Sequence, residues 1–186
     1  MQTFDAIKNR RAVREYTEAP IARSTVEHLI EAAILAPSAM NLQPWAFAVI
    51  SGRERVAALG HRIKEWLLKN LEQTSLEPSL RRLIEPEEYR LFHGAPAIVL
   101  ILAKTPDSQA AEDCCLAAEN LLLEAREQGL GTCWIGLSRP WFDLPSSKRE
   151  LGLPEHLHVV APIILGHPKA WPESHGRKLA EIHWIG

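Results

Sequence analysis

Ala97-Ile98-Val99-Leu100-Ile101-Leu102-Ala103 is an unbroken apolar run of strand length, with no polar residue alternating into it. Such a strand must be covered on both faces, so it reads as the centre of a sheet with helices above and below. The flanking sequence supplies those layers. Downstream, Ser108 to Gln128 is the longest and most apolar helical stretch, with Leu116, Ala117, Leu121, Leu122 and Ala125 expected inward and Gly129 as its C-terminal cap. Upstream, Trp45 to Ser51 reads as a strand. Arg53 to about Leu71 reads as an amphipathic helix with Val56, Leu59, Ile63, Leu67 and Leu71 on or near one face and Arg53 in solvent.

Further out, Thr3 to Asn9 reads as a short helix. Ser24 with Glu27 has the form of a capping box, and Val26, Leu29, Ile30, Ala33 and Ile34 recur at helical spacing until Pro37. Thr132 to Leu137 is a short extended piece, Pro140 to Leu151 a helical one, Val159 to Leu165 a last apolar strand, and Arg177 to Trp184 an amphipathic tail. The acidic stretch from Glu72 to Glu88, interrupted by Pro78 and Pro86, is a candidate lid or helical excursion. No repeat or Pro/Ser-rich linker divides the chain. The expectation is one α+β domain over residues 1–186, with helices packed on a mixed central sheet.

Composition narrows the function. With 21 basic against 23 acidic residues and a formal net charge of −2, the chain has no field suited to nucleic acid or an anionic membrane. The N-terminus carries no apolar run of signal-peptide type, and Ala95 to Ala103 is too short to span a bilayer. Three cysteines, with Cys114 and Cys115 adjacent, form neither an even disulfide framework nor a CxxC pair, which points to a reducing compartment such as the cytoplasm. His156 and His158 lack a third ligand at a convincing spacing, so no metal is assigned.

Three segments could carry chemistry. Arg10, Arg11 and Arg14 crowd guanidiniums that suit phosphate oxygens, although a solvated basic turn paired with Glu15 and Glu18 fits the same residues. Arg177-Lys178 would complete a clamp if the fold joined the two ends. Between Ala36 and Trp45, two prolines fix a polar loop whose Ser38, Asn41 and Gln43 could serve a ring's carbonyls and nitrogens, or could satisfy their own backbone. Gly129-Leu130-Gly131-Thr132-Cys133-Trp134-Ile135-Gly136 follows a helix and has Trp134 where a nucleotide turn needs glycine, so it is no Rossmann fingerprint. Its small residues would let backbone approach a flat ligand, or merely cap a helix before a buried strand.

Together these segments resemble the FMN-dependent nitroreductase family, over essentially the whole chain and in order. RRAVREY resembles the family's RRSxR segment, PSAMNLQPW its PSSxNxQPW loop, AENLLLEAREQGLGTCWIG its helix and flavin-facing strand, and GRKLAEIHW its RKPLEEIVHW tail. The resemblance implies a homodimer that binds FMN and takes electrons from NADH or NADPH for a small-molecule acceptor such as a nitroaromatic or quinone. By position, Arg10 and Arg14 with Arg177 and Lys178 would hold the phosphate and the electron-rich edge of the flavin, and Arg11 and Ala12 would act through backbone. Pro37, Ser38, Ala39 and Asn41 would come from the partner subunit, with Gln43 supporting their loop. Cys133, Ile135 and Gly136 would lie against the ring, with a backbone N–H near Ile135 donating to its central nitrogen.

Ala12 departs from the common serine, and the chain is short for the family, which suggests an open substrate face. The same scaffold could instead serve oxidative or dehalogenating flavin chemistry. A flavin carrier or redox sensor using Cys114, Cys115 or Cys133 is the rival of another class.

Overall fold

The computed structural model describes residues 2–70 and 79–186. The helices and strands, in chain order, are α1 (Thr3–Asn9), α2 (Arg23–Ala33), β1 (Trp45–Ser51), α3 (Arg53–Asn70), α4 (Leu80–Ile84), β2 (Ala97–Ala103), α5 (Ser108–Glu127), β3 (Gly131–Trp134), α6 (Arg139–Phe142), α7 (Pro145–Leu151) and β4 (His158–Gly166). Leu71 and the first part of the candidate lid, residues 72–78, lie outside the described residues, and the second part of the lid holds the short α4.

Every residue of β2 is buried. Because side chains alternate along a strand, β2 feeds two cores. Ile98, Leu100 and Leu102 pack with Val56, Ile63 and Leu67 of α3 and with Phe92 and Phe142, whereas Val99, Ile101 and Ala103 pack with Leu29 of α2 and Ala117 and Leu121 of α5. The result is a helix–sheet–helix sandwich. The sheet order is β1-β2-β4-β3, and each of these ladders is antiparallel. The parallel component of the expected mixed sheet is confined to a bridge between Ala12 and Thr132, where the N-terminal segment crosses the edge of β3.

Some local expectations change. The Ser24–Glu27 capping box does not form: α2 starts at Arg23 behind Ala22, Ser24 already lies inside the first turn, and Glu27 accepts from Arg23 Nε at 2.7 Å. Leu116 is 47 % exposed, since the buried stripe of α5 runs through Cys114, Ala117, Ala118, Leu121, Leu122 and Ala125 and leaves Leu116 on the flank. Ile34, also expected inward, is 45 % exposed because α2 stops at Ala33, well before Pro37. Arg53 is no solvated residue. Its guanidinium donates to the carbonyls of Thr17 and Gly94 and pairs with Glu18.

Gly129 does cap α5, with φ +72°. Beyond β4, residues 167–186 run without regular secondary structure except a bridge from Pro168 to Tyr16, and Leu179, Trp184 and Ile185 stand almost fully in solvent.

Candidate functional site

The N-terminal basic segment is laid across β3 by backbone pairing. Val13 N–H donates to the Thr132 carbonyl at 2.9 Å, which buries Val13 and turns its neighbours outward. Gly131 permits this approach: a Cβ there would lie 2.7 Å from the Val13 side chain. Gly131 therefore admits the chain's own N-terminal segment, while Gly136 at the end of the same segment faces open space. Arg10 sits 3.6 Å from Glu119 of α5, and Arg11 donates to the carbonyls of Lys8 and Arg10.

Arg14 belongs to two adjoining cavities of about 330 Å³ each. The first is lined by Arg11, Ala12, Arg14 and Glu15 and, from the tail, Trp171, Glu173 and His175, so two carboxylates share the space with the two guanidiniums. Trp171 is held there by Arg126, whose guanidinium carbon stands 3.5 Å from the centre of its ring. The second is apolar and aromatic, with Cys133, Ile135 and Gly136 on one side and Tyr89 and His93 on the other. The fold thus unites the first and third segments of the sequence. Arg177 and Lys178 line neither cavity and are exposed, with Arg177 bonded to the Gly176 carbonyl at 2.8 Å; the tail residues that share the cavity with the N-terminal arginines include Trp171, Glu173 and His175. A larger cavity of about 570 Å³, between α2 and β1, contains none of the candidate site residues of the sequence.

Electrostatics in the second cavity follow from burial against one fixed cation. Burial raises the Cys133 thiol and the Tyr89 phenol above their ordinary pKa ranges, and Arg14 opposes both shifts. His93 is lowered, first by burial and then by Arg14. Cys133 is therefore a neutral thiol at pH 7, which counts against a nucleophilic or redox-sensing task. The Ile135 N–H is already engaged, donating to the Pro162 carbonyl at 2.8 Å. The next backbone donor on this turn is that of Gly136, which opens a 3₁₀ turn and has no partner within it.

The proline-bracketed loop lines neither cavity of its own chain. Its backbone is strained: Met40, Asn41 and Gln43 all have φ between 47° and 54°. Side chains hold it in that shape. Ser38 Oγ accepts the Gln43 N–H at 3.0 Å, Gln43 Nε2 donates to Asn41 Oδ1 at 2.9 Å, and the Ala39 N–H donates to the carboxylate of Asp113 on α5. Meanwhile Met40 is 93 % and Leu42 67 % exposed. Strain of about 1–3 kcal/mol per residue persists only where surroundings impose it, and such residues cluster at functional sites.

Sequence reasoning missed Asp113, Tyr89 and His93. Asp113 had a signal, a carboxylate on the inward face of an apolar helix; Tyr89 and His93 lie in an irregular turn with no periodicity to place them. Among the described residues no His, Cys, Asp and Glu group could hold a metal ion, and no helix is long and apolar enough to cross a membrane.

Comparison with known proteins defines the class. The model of the nitroreductase family matches residues 7–167, and the chain belongs to that family. A protein of Archaeoglobus fulgidus named for NADH dehydrogenase and NAD(P)H nitroreductase is 32% identical over 167 residues, covering 88% of this chain and 83% of its own. The iodotyrosine deiodinase of Thermotoga neapolitana is 26% identical, over 89% of this chain and 88% of its own. A Bacteroides fragilis nitroreductase crystallised with bound FMN superposes with a TM-score of 0.85 at 28% identity, covering 100% of both chains.

Proposed function

We propose that the chain is a cytoplasmic, homodimeric, FMN-dependent oxidoreductase that uses NADH or NADPH to reduce nitroaromatics, quinones or similar small acceptors by a ping-pong mechanism. The observation that carries this reading is the double role of Arg14. It forms the shared wall of a charged cavity, where Arg11 and Arg14 would draw a phosphate in beside the carboxylates of Glu15 and Glu173, and of an apolar cavity fit for a flat ring. A molecule with a phosphate at one end and a heteroaromatic ring at the other matches that pair, and FMN is such a molecule.

In this reading Arg14 holds the phosphate and the electron-rich edge of the ring, Arg11 adds its charge and Ala12 its backbone, and Arg10, which lines neither cavity and pairs with Glu119, keeps its assignment on the resemblance of the RRAVR segment alone. The Cys133 to Gly136 turn lies along the ring, with Gly136 N–H as the donor to its central nitrogen in place of the engaged Ile135. Arg177 and Lys178 keep their assignment to the phosphate on the resemblance of the GRK segment alone. Bound FMN supplies two-electron chemistry, accepting hydride from a nicotinamide and returning it to an acceptor. The protein binds, orients and excludes water, and the Arg14 charge favours the form carrying extra negative charge.

Pro37, Ser38, Ala39, Asn41 and Gln43 serve the partner's site. Their loop lines neither of the two cavities of its own chain, yet hydrogen bonds hold its shape with its apolar tips in solvent. Exposed Phe4, Ile7, Leu35 and Leu116 on α1, α2's end and α5 supply apolar surface for a symmetric contact, and the tail carries Leu179, Trp184 and Ile185 away from its own core. The kinship with a deiodinase favours a second reading in which the same site removes a substituent from a substrate ring.

Purified protein should be yellow and release FMN on heating, identified by mass, and should oxidise NADH or NADPH when given menadione or a nitrobenzoate. Release of FAD, or no flavin uptake on reconstitution, refutes the cofactor. Flavin binding with no nicotinamide oxidation transfers support to the carrier or dehalogenating readings.

A further inference from the structure

The turn between α4 and β2 carries a titratable side chain that the flavin reading leaves without a role. His93 lines the apolar cavity opposite the Cys133 to Gly136 turn, its ring meeting that of Tyr89 edge to face at 6.0 Å. Its backbone is at φ +51°, a left-handed conformation that a large side chain rarely adopts. Two cations of α3 fix the turn on either side. Lys64, 8 % exposed, donates its ammonium to the carbonyls of Pro86, Glu87 and Tyr89, and the Arg53 guanidinium donates to that of Gly94. A buried lysine spent on three backbone carbonyls serves to hold this turn in place.

We propose that His93 is the residue through which the proton accompanying acceptor reduction enters the cavity. The inference rests on the oxidoreductase reading above. Reduction by a nicotinamide delivers a hydride, two electrons with one hydrogen, and leaves the acceptor one proton short. For a quinone the balance is NAD(P)H + H⁺ + quinone → NAD(P)⁺ + hydroquinone, and for a nitro group NAD(P)H + H⁺ + ArNO₂ → NAD(P)⁺ + ArNO + H₂O. The His93 imidazolium gives its proton to the acceptor oxygen left anionic by the hydride, and the neutral ring recovers a proton from water. The other titratable or charged groups lining the cavity are Arg14 on the N-terminal segment, Tyr89 on the same turn and Cys133 on β3. Arg14 is permanently cationic, and burial holds Tyr89 and Cys133 neutral. Only His93 among these four has an ordinary titration range near neutrality, and burial lowers it.

Burial and Arg14 keep the imidazole neutral while no negative charge is present. An anion arriving in the cavity raises its proton affinity, so protonation coincides with need.

The test is His93→Asn, because asparagine tolerates a left-handed φ and removes only the imidazole. In wild-type holoprotein the stopped-flow oxidation of the reduced enzyme by menadione should slow as pH rises through the His93 range. In His93→Asn at equal FMN occupancy that limb should vanish, with the rate at pH 6 lowered roughly tenfold or more. Histidine-ring NMR gives a second readout: the His93 midpoint should rise when FMN is added, and rise again after anaerobic reduction with dithionite. An unchanged pH limb in the variant, or a midpoint indifferent to FMN, overturns the inference and leaves the oxidoreductase reading intact. Wild-type protein that binds no FMN sinks both.

Discussion

The Asp113 carboxylate, on the second turn of α5, accepts the backbone N–H of Ala39 at 3.3 and 3.2 Å. One buried side chain thereby anchors a loop whose next residues, Met40 and Asn41, are held at left-handed φ. Replacing Asp113 with alanine leaves that N–H without its charged acceptor in a partly buried position and should cost about 1.5–3 kcal/mol. Urea unfolding should show this loss, with FMN retention falling in parallel. Asp113→Asn, which retains an acceptor oxygen, should lie between. Wild-type stability in Asp113→Ala would show that the loop holds its shape without the carboxylate.

Arg14 offers a charge test of the wall shared by the two cavities. Arg14→Ala should weaken FMN binding by about ten- to a hundredfold, the effect of one charge-assisted contact. Arg55, exposed on α3, is the suitable control. Arg53 is not, because its bonds to Thr17 and Gly94 make Arg53→Ala a structural lesion. Equal FMN affinity in Arg14→Ala and Arg55→Ala, measured by fluorescence quenching, would remove Arg14 from the site.

The approach of the N-terminal segment to β3 gives a packing prediction. Gly131→Ala places a methyl 2.7 Å from Val13 and should destabilise by roughly 1–3 kcal/mol, lowering the thermal midpoint. Val13→Gly in the same chain, which also removes the Val13 Cβ at 2.8 Å, should restore part of that loss, a coupling that a double-mutant cycle measures directly. Additive losses would mean that the strain is relieved elsewhere.

Legibility of the sequence tracks periodicity. The apolar runs mark β1 and β2 to the residue, and helical spacing marks α5, because burial on a regular element writes a repeating pattern. Hydrophobicity alone misplaces Leu116, which lies beside the buried stripe. The α2 cap is misread because Ser24 and Glu27 form a local signal that a competing Arg23–Glu27 pair displaces. The candidate site is legible where segments keep their order, as in Arg11 and Arg14 with Cys133 to Gly136, which line two adjoining cavities. It is illegible where three-dimensional closure decides: nothing in sequence puts Tyr89 and His93 opposite Cys133, or seats His175 beside Arg11 ahead of Arg177.

The shared-site dimer yields the most discriminating prediction, because its two halves fail separately. Arg14 lines both candidate cavities of its own chain, whereas Asn41 sits on a loop that lines neither. If that loop covers the ring in the partner's site, Arg14→Ala and Asn41→Ala homodimers should each bind FMN poorly and turn over slowly. A mixed dimer redistributes the lesions. One of its sites combines both substitutions, and the other pairs an intact Arg14 with an intact Asn41. Mixing the two variants under subunit exchange should therefore restore flavin and NADH oxidation towards a quarter of the wild-type level, about one intact site per mixed dimer with half the dimers mixed. Dilution of wild type to the monomer range should release FMN and abolish turnover together. A monomer by light scattering that keeps FMN and full activity, or variants that fail to complement while exchange is demonstrated, refutes the shared site without touching the flavin assignment.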